Sequence, residues 1–337
     1  MDALLRAYSP FSRLVCQVKS ARIKKGGGRQ RVSPVPVVSV GNLTLGGSEK
    51  TPLVIEILRL ALELGRRPAM ITRGYKGAWE ERGGILSDGR TVLAGWREAG
   101  DEPAMVARRV PEAGIFVGKH RYLSCIKAGD AGFDLAVLDD GFQHLKLARE
   151  LDIVLHDAAN PGPLREGFSA LGRADLLLWK RNGSGALRQR LQTRFPGLPV
   201  FEYEVKPTGL RRLETVEEIP VDTLRQKRVL VVSGIARPGR FAASVREAGA
   251  LPVAAMEFPD HFAYPRRALE RIAAAFEKSA AEAAITTEKD ALKLIGRLPA
   301  GLAARFYVLQ IGLVLPPESI SFLRNALGSL LVPGDRP

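Results

Sequence analysis

The sequence predicts an α/β protein with two sheet-and-helix blocks and an amphipathic helix ahead of them. Three observations lead there. Short runs rich in β-branched residues alternate with stretches of helical periodicity, the pattern of parallel strands joined through helices. Twice a strand passes through a glycine-containing loop into a helix, after Val35–Val40 and again after Arg228–Val232. Between these blocks Leu198–Thr223 is extended and charged without helical period, so the domain connection is placed there. The expected division is a basic helix over 1–28, a first α/β domain over 29–205, a connecting segment over 206–227 and a second, smaller α/β domain over 228–337.

The 337 residues are 46% hydrophobic and 26% charged, which excludes wholesale disorder and an integral membrane bundle. No apolar run approaches the roughly 18 residues of a membrane span. The first twenty residues, interrupted by Arg6, Arg13 and Lys19, are no signal peptide, and two cysteines, Cys16 and Cys125, make no disulfide framework. A reducing cytoplasm is expected. The net charge of +14 calls for an anionic partner, and half of it lies in residues 1–31, where eight basic residues face Asp2 alone. That segment also carries Leu4, Leu5, Tyr8, Phe11, Leu14, Val15 and Val18 at spacings of mostly three and four, and ends at Gly26-Gly27-Gly28. Two readings fit equally: a helix on an anionic membrane surface, or one docked on the protein's own core with a solvated basic face.

In the first block, Val35–Val40 is a strand that leads through Gly41 to Pro52 into a helix over Leu53–Leu64. Further strands are expected at Ala69–Thr72, Ile115–Val117, Leu135–Leu138, Ile153–Leu155 and Leu176–Trp179. The second block continues with strands at Pro252–Ala255, Ala284–Thr286 and Phe306–Gln310. The loop Gly46-Gly47-Ser48-Glu49-Lys50-Thr51 resembles a Walker A phosphate loop, whose backbone amides cradle phosphates while the lysine reaches the β/γ-phosphates and the threonine holds Mg²⁺. It departs from the strict pattern at Thr44 and at Glu49. Phe133 to Asp140 is an apolar strand ending in carboxylates, the layout of a magnesium-binding Walker B strand, with Asp139 and Asp140 as metal candidates. Together the two elements predict a P-loop NTPase-like sheet. The Ser233–Phe241 loop has the same layout without a Lys-Thr pair.

Asp139-Asp140-Gly141-Phe142-Gln143-His144 packs two acids, an amide and an imidazole at a strand's carboxyl end, where α/β sites lie. With Val40 to Gly47, Thr72-Arg73-Gly74-Tyr75, Gly100-Asp101-Glu102-Pro103, Gly162 to Glu166 and Thr286 to Asp290, it makes the chain resemble the tetraacyldisaccharide 4'-kinases of lipid A assembly over nearly its whole length. The resemblance implies an ATP- and Mg²⁺-dependent transfer of phosphate to the 4'-hydroxyl of a tetraacyldisaccharide 1-phosphate, giving lipid IVA. It also implies two lobes closing around nucleotide, and peripheral attachment to the cytoplasmic face of the inner membrane. It further implies Asp101 as acceptor-side base oriented by His261, and substrate contacts at Tyr75, Glu102, Arg121, Gln143 and His144, with Arg73 and Arg173 as neighbours of phosphate or metal.

Other readings of the same residues stay open. Gly-Asp-Glu-Pro is also an ordinary helix start, and Thr287 to Asp290 an ordinary capping box. Glu49 stands where the family usually has glycine. A carboxylate about 4 Å from phosphate costs on the order of 4 kcal/mol per charge pair at an effective dielectric near 20, so an active enzyme requires Glu49 turned outward. The alternatives are a weakened nucleotide-binding homologue and a P-loop ATPase or GTPase on nucleic acid. A nucleic acid partner is not expected, because half the charge sits on an apolar arm rather than on the folded body.

Overall fold

The computed structural model describes residues 30–44, 49–158, 162–181, 185–215 and 217–331. The expected amphipathic helix over 1–28, and Gly46, Gly47 and Ser48 of the phosphate loop, lie outside the described residues. The chain forms two compact units, one taking the described residues up to Glu204 together with those from Val314 onward, the other Val205–Leu313.

In the first unit, β1 (Val37–Asn42) leads to α1 (Lys50–Glu63) and β2 (Pro68–Thr72). The short α2 (Trp79–Arg82), β3 (Gly84–Asp88) and α3 (Trp96–Ala99) follow, then α4 (Asp101–Arg109), β4 (Gly114–Val117), α5 (Arg121–Asp130) and β5 (Leu135–Asp139). After β6 (Leu151–His156), β7 (Leu176–Lys180) and α6 (Gly185–Arg194) comes β8, a long strand over Val200–Arg212. The strand order is β8-β7-β6-β1-β5-β2-β4-β3, parallel except for the edge strand β3. Strands β1, β2, β4, β5 and β6 are buried at every position, which explains why they read as continuous apolar runs. Helix α1 buries Leu53, Val54, Ile57, Leu58 and Ala61, and each large side chain among them contributes about 2 kcal/mol.

β1 lies between β5 and β6 although neither is its neighbour in sequence. Such a reversal of strand order opens a crevice beyond the strands' carboxyl ends. Pairing of Val40 with Asp139 puts that carboxylate beside the exit of β1.

The second unit contains β9 (Glu218–Ile219), β10 (Arg228–Ser233), α7 (Pro238–Glu247), β11 (Leu251–Glu257), α8 (Arg266–Lys278), β12 (Ala283–Thr287), α9 (Glu288–Leu294), α10 (Ala300–Ala303) and β13 (Phe306–Val314). Its parallel order is β11-β10-β12-β13, and β9 pairs antiparallel with the far end of β8. Two apolar clusters flank this sheet, one around Tyr264, Ile272 and Phe306 and the other around Val229, Val245 and Leu309.

Two expectations differ from the structure. The segment expected as a connection over 206–227 holds the second half of β8, the strand β9 and a 3₁₀ turn at Val221–Leu224. The alternation of Phe201-Glu202-Tyr203-Glu204-Val205-Lys206 is a strand signal, masked further on by Pro207 and Gly209. The second domain was expected to run to the C-terminus, yet α11 (Pro317–Gly328) joins the first unit. It buries Leu323 and Leu327 and packs against α1, Arg324 lies 2.7 Å from Glu63, and the Arg66 guanidinium donates to the Leu330 carbonyl at 2.9 Å.

Candidate active site

Lys50 opens α1, and its ammonium lies 3.0 Å from Asp140 Oδ1 and 3.4 Å from the Asn42 side-chain oxygen. Asn42 Nδ2 donates to Thr44 Oγ1 at 3.0 Å, which ties the lysine to the exit of β1. Thr51 is buried in the same first turn.

Asp139 ends β5 and is buried. Its Oδ2 accepts from Thr72 Oγ1 at 3.4 Å, and its Oδ1 has no hydrogen-bond partner among the described residues. Burial, reinforced by the nearby Glu102 charge, pushes its carboxyl up to about 7 against the pull of Lys50. A buried carboxylate oxygen without a partner fits a divalent cation. Among the described residues no three His, Cys, Asp or Glu side chains stand together as a metal cluster. A hard carboxylate oxygen of this kind is a donor that suits Mg²⁺, which keeps water and phosphate oxygens in its shell and needs few protein ligands.

Asp140 was expected as a second metal ligand, but its oxygens face two cations: Lys50 at one and Arg165 Nη1, 2.7 Å away, at the other. Burial alone would raise its carboxyl, but these cations hold it well below the usual range. Its backbone is left-handed, with φ 54°, a conformation uncommon outside glycine and concentrated at functional sites.

The rest of the 139–144 string serves mainly to hold this corner. A side chain at Gly141 would come within 2.7 Å of Leu138 Cβ, and one at Gly41 within 2.4 Å of Phe142 Cβ, so both positions require glycine. Phe142 is core, and the Arg173 guanidinium sits over its ring at 4.0 Å. Gln143 Nε2 donates to the Asn42 carbonyl at 3.0 Å and to Glu166 Oε2 at 3.2 Å, and Arg173 pairs with the same glutamate. Gln143 thereby joins β1 to the Gly162–Glu166 string. His144 is half-buried, and its carbonyl accepts from Arg149.

In the Thr72–Tyr75 and Gly100–Pro103 strings, Gly74 and Gly100 both have positive φ, and a Cβ on Gly100 would lie 3.1 Å from the Tyr75 carbonyl. The two loops thus abut, with Asp101 buried at the start of α4, Glu102 half-buried beside it and Tyr75 exposed. Gly100 occupies the cap position, so the string is a helix start as well as a candidate for chemistry. Arg121 begins α5 with only 7% of its surface exposed and with Nε lacking a hydrogen-bond partner among the described residues. Burial lowers its pKa, and the charges of Asp139 and Asp140 oppose that. Electrostatics therefore couple Lys50, Glu102, Arg121, Asp139 and Asp140 into one cluster. Arg73 instead pairs with Glu80 at 2.5 Å.

Glu49 is not turned to solvent. One of its oxygens pairs with the Lys180 ammonium and the other accepts from the Tyr203 hydroxyl at 3.2 Å. Its φ of −62° is ordinary, so the position does not demand glycine. Lys180, Tyr203, Asn42, Arg165 and Glu166 carry this geometry. Only proximity in the fold shows their roles, although Arg165 and Glu166 fall within a string that the sequence singled out.

In the second unit His261 has φ 65°, donates its backbone N–H to the Gly234 carbonyl at 3.2 Å, and places Nε2 3.6 Å from Asp260 Oδ2. Thr287 caps α9 by accepting from Asp290 N–H at 3.1 Å, and Asp290 Oδ2 accepts from the Thr287 hydroxyl at 2.7 Å and from Gly234 N–H at 2.9 Å. The Thr-Glu-Lys-Asp string is thus the helix cap that ordinary capping chemistry implies.

Known proteins share both the sequence and the fold of this chain. Residues 1–328 match the family described as tetraacyldisaccharide-1-P 4'-kinase. The tetraacyldisaccharide 4'-kinase of Pelobacter propionicus is 36% identical over 96% of this chain and 93% of its own, and that of Geobacter metallireducens 38% identical over 89% and 91%. The crystal structure of LpxK from Aquifex aeolicus in complex with ATP superposes with a TM-score of 0.76 at 28% identity, covering 97% of this chain and 98% of the other. On these matches, the chain belongs to the tetraacyldisaccharide 4'-kinase family.

Proposed function

We propose that the protein transfers the γ-phosphoryl group of ATP to the 4'-hydroxyl of tetraacyldisaccharide 1-phosphate, forming lipid IVA. The observation that carries this reading is Lys50, at the start of the helix after β1, beside the carboxylates that end β5. Phosphoryl transfer consists largely of positioning and charge neutralisation. In the reaction the 4'-oxygen bonds to the γ-phosphorus, the bond from that phosphorus to the β,γ-bridging oxygen breaks, ADP leaves, and the hydroxyl proton passes to a base.

Lys50 is assigned to the β/γ-phosphates, together with the backbone amides of the loop over Gly46 to Ser48. Its pairing with Asp140 keeps the ammonium oriented before nucleotide arrives. Thr51 and Asp139 would hold Mg²⁺, which when bound neutralises charge on the β- and γ-phosphates. Asp140, occupied by Lys50 and Arg165, serves better as the lysine's anchor than as a ligand. Asp101 is assigned as the base, and His261 as a further catalytic residue. Arg121 is assigned to substrate phosphate through its planar fork, and Tyr75, Glu102, Gln143 and His144 to the sugar side. The basic, apolar arm over 1–28 would hold the enzyme at the cytoplasmic face of the inner membrane, where the acceptor's sugar head lies; among the described residues no helix is long and apolar enough to cross a membrane.

Incubation with γ-labelled ATP, Mg²⁺ and the lipid acceptor tests the proposal. Label on the lipid with wild type, and none with Lys50→Ala or Asp101→Ala, is expected. Unlabelled lipid with the wild-type protein would refute it.

A further inference from the structure

Glu49 carries a negative charge immediately before the lysine assigned to ATP, and its side chain makes no capping hydrogen bond to the helix that begins there. Both of its oxygens are engaged elsewhere. Lys180, at the end of β7, pairs with one and also lies 3.5 Å from Asp157 Oδ2, just beyond the end of β6; the Tyr203 hydroxyl on β8 donates to the other at 3.2 Å. These side chains are largely shielded: the exposures of Glu49, Lys180 and Asp157 are 16%, 21% and 9%. Three adjacent strands thus supply a cation, a carboxylate and a hydroxyl to one point at the edge of the phosphate loop.

We infer that Lys180 and Tyr203 are positioning residues for ATP: they hold the Glu49 carboxylate away from the phosphates and offset its charge. The inference rests on the reading of this loop as the ATP phosphate site. Without Lys180, the half-buried Glu49 and the buried Asp157 carboxylates lose their shared cation, and the glutamate loses the contact that draws it from the polyphosphate, whose charge it repels. The residue pair accounts for a charged side chain where a phosphate loop ordinarily has none.

Calorimetric titration of ATP into the full-length protein tests this. Lys180→Met is expected to weaken binding by roughly tenfold or more, since an unscreened carboxylate near phosphate acts over a few ångströms at low effective dielectric. Lys180→Met combined with Glu49→Gly is expected to recover affinity to within about threefold of wild type, because nothing is left to hold back. Tyr203→Phe should produce a smaller loss, about twofold to fourfold, consistent with one hydrogen bond to a charged group shared with a second partner. In steady-state assays the single variants should raise KM for ATP far more than they lower kcat. If Lys180→Met does not fold, Lys180→Gln is titrated instead with the same expectation. Unchanged affinity in the single variant, or a loss that Glu49→Gly does not restore, overturns the inference; the second result would make Lys180 a direct phosphate ligand. Wild-type protein that fails to bind ATP overturns the loop reading as well, whereas wild-type binding with indistinguishable variants overturns the positioning role alone.

Discussion

Each unit of this chain contains a strand that runs through a glycine-containing loop into a helix, and the two loops put their polar groups to opposite use. In the second unit the loop is filled from within: Asp290 Oδ2 accepts the Gly234 N–H and the Thr287 hydroxyl. The amide that a phosphate loop would offer to an anion is already bound to a carboxylate of the protein. In the first unit the carboxylates stand opposite the helix start, where Lys50 bridges Asn42 and Asp140, and Asp139 has an oxygen without a hydrogen-bond partner among the described residues. The topology is therefore compatible with either a binding site or a structural joint. What distinguishes them is the group at the helix start: in the second unit a carboxylate accepts the loop amide, and in the first a lysine faces a carboxylate pair.

Several substitutions would break or sharpen that contrast. Lys50→Ala should have the largest effect, a loss of roughly a thousandfold or more in kcat/KM, because it removes the cation assigned to the transferred phosphate. Melting measurements should show the fold nearly unchanged. Asp290→Ala should act in the other direction: it leaves the Gly234 amide and the Thr287 cap without their shared acceptor and should destabilise the second unit by about 2–4 kcal/mol, visible as a lowered Tm. ATP affinity at the first unit's loop should then stay near the wild-type value. Gly141→Ala should cost about 1–3 kcal/mol, since its Cβ would stand 2.7 Å from Leu138 Cβ. It should also weaken activity more than stability, because Asp140 and Gln143 flank the displaced backbone.

The smallest effect concerns Cys125, on the buried face of α5, with its thiol pushed up to about 12 by burial. Because the folded pKa is raised, folding favours the protonated thiol, so the stability linked to this group is complete below the unfolded thiol's ordinary range. It is lost as pH rises toward 12. Thiol reagents at neutral pH should label it only at the rate of unfolding, and labelling of native protein within minutes would contradict the burial.

The strands that build the first unit's sheet were legible in the sequence because parallel strands buried on both faces read as apolar runs. The positions of Lys50 and Asp139 were legible because they depend on local order: a lysine opening a helix, an aspartate closing a strand. Strand β8 was obscured by Pro207 and Gly209, and the return of α11 to the first unit is a long-range choice, made by Leu323, Leu327 and Arg324 finding α1. Glu49 shows the same limit at the site. From the sequence it is an unexplained charge in a phosphate loop. Its partners Lys180 and Tyr203 lie more than a hundred residues downstream, on strands brought close only by sheet order.

The central claim, that the Lys50–Asp139 corner serves phosphate transfer to a lipid sugar, is tested most directly by the product. Wild-type protein is incubated with ATP, Mg²⁺ and tetraacyldisaccharide 1-phosphate, and the recovered lipid is examined by mass spectrometry and phosphorus NMR. The account predicts the mass gain of one phosphoryl group and a second phosphomonoester, placed at the 4'-position. Recovery of the acceptor unchanged, or phosphate at any other hydroxyl, would contradict it.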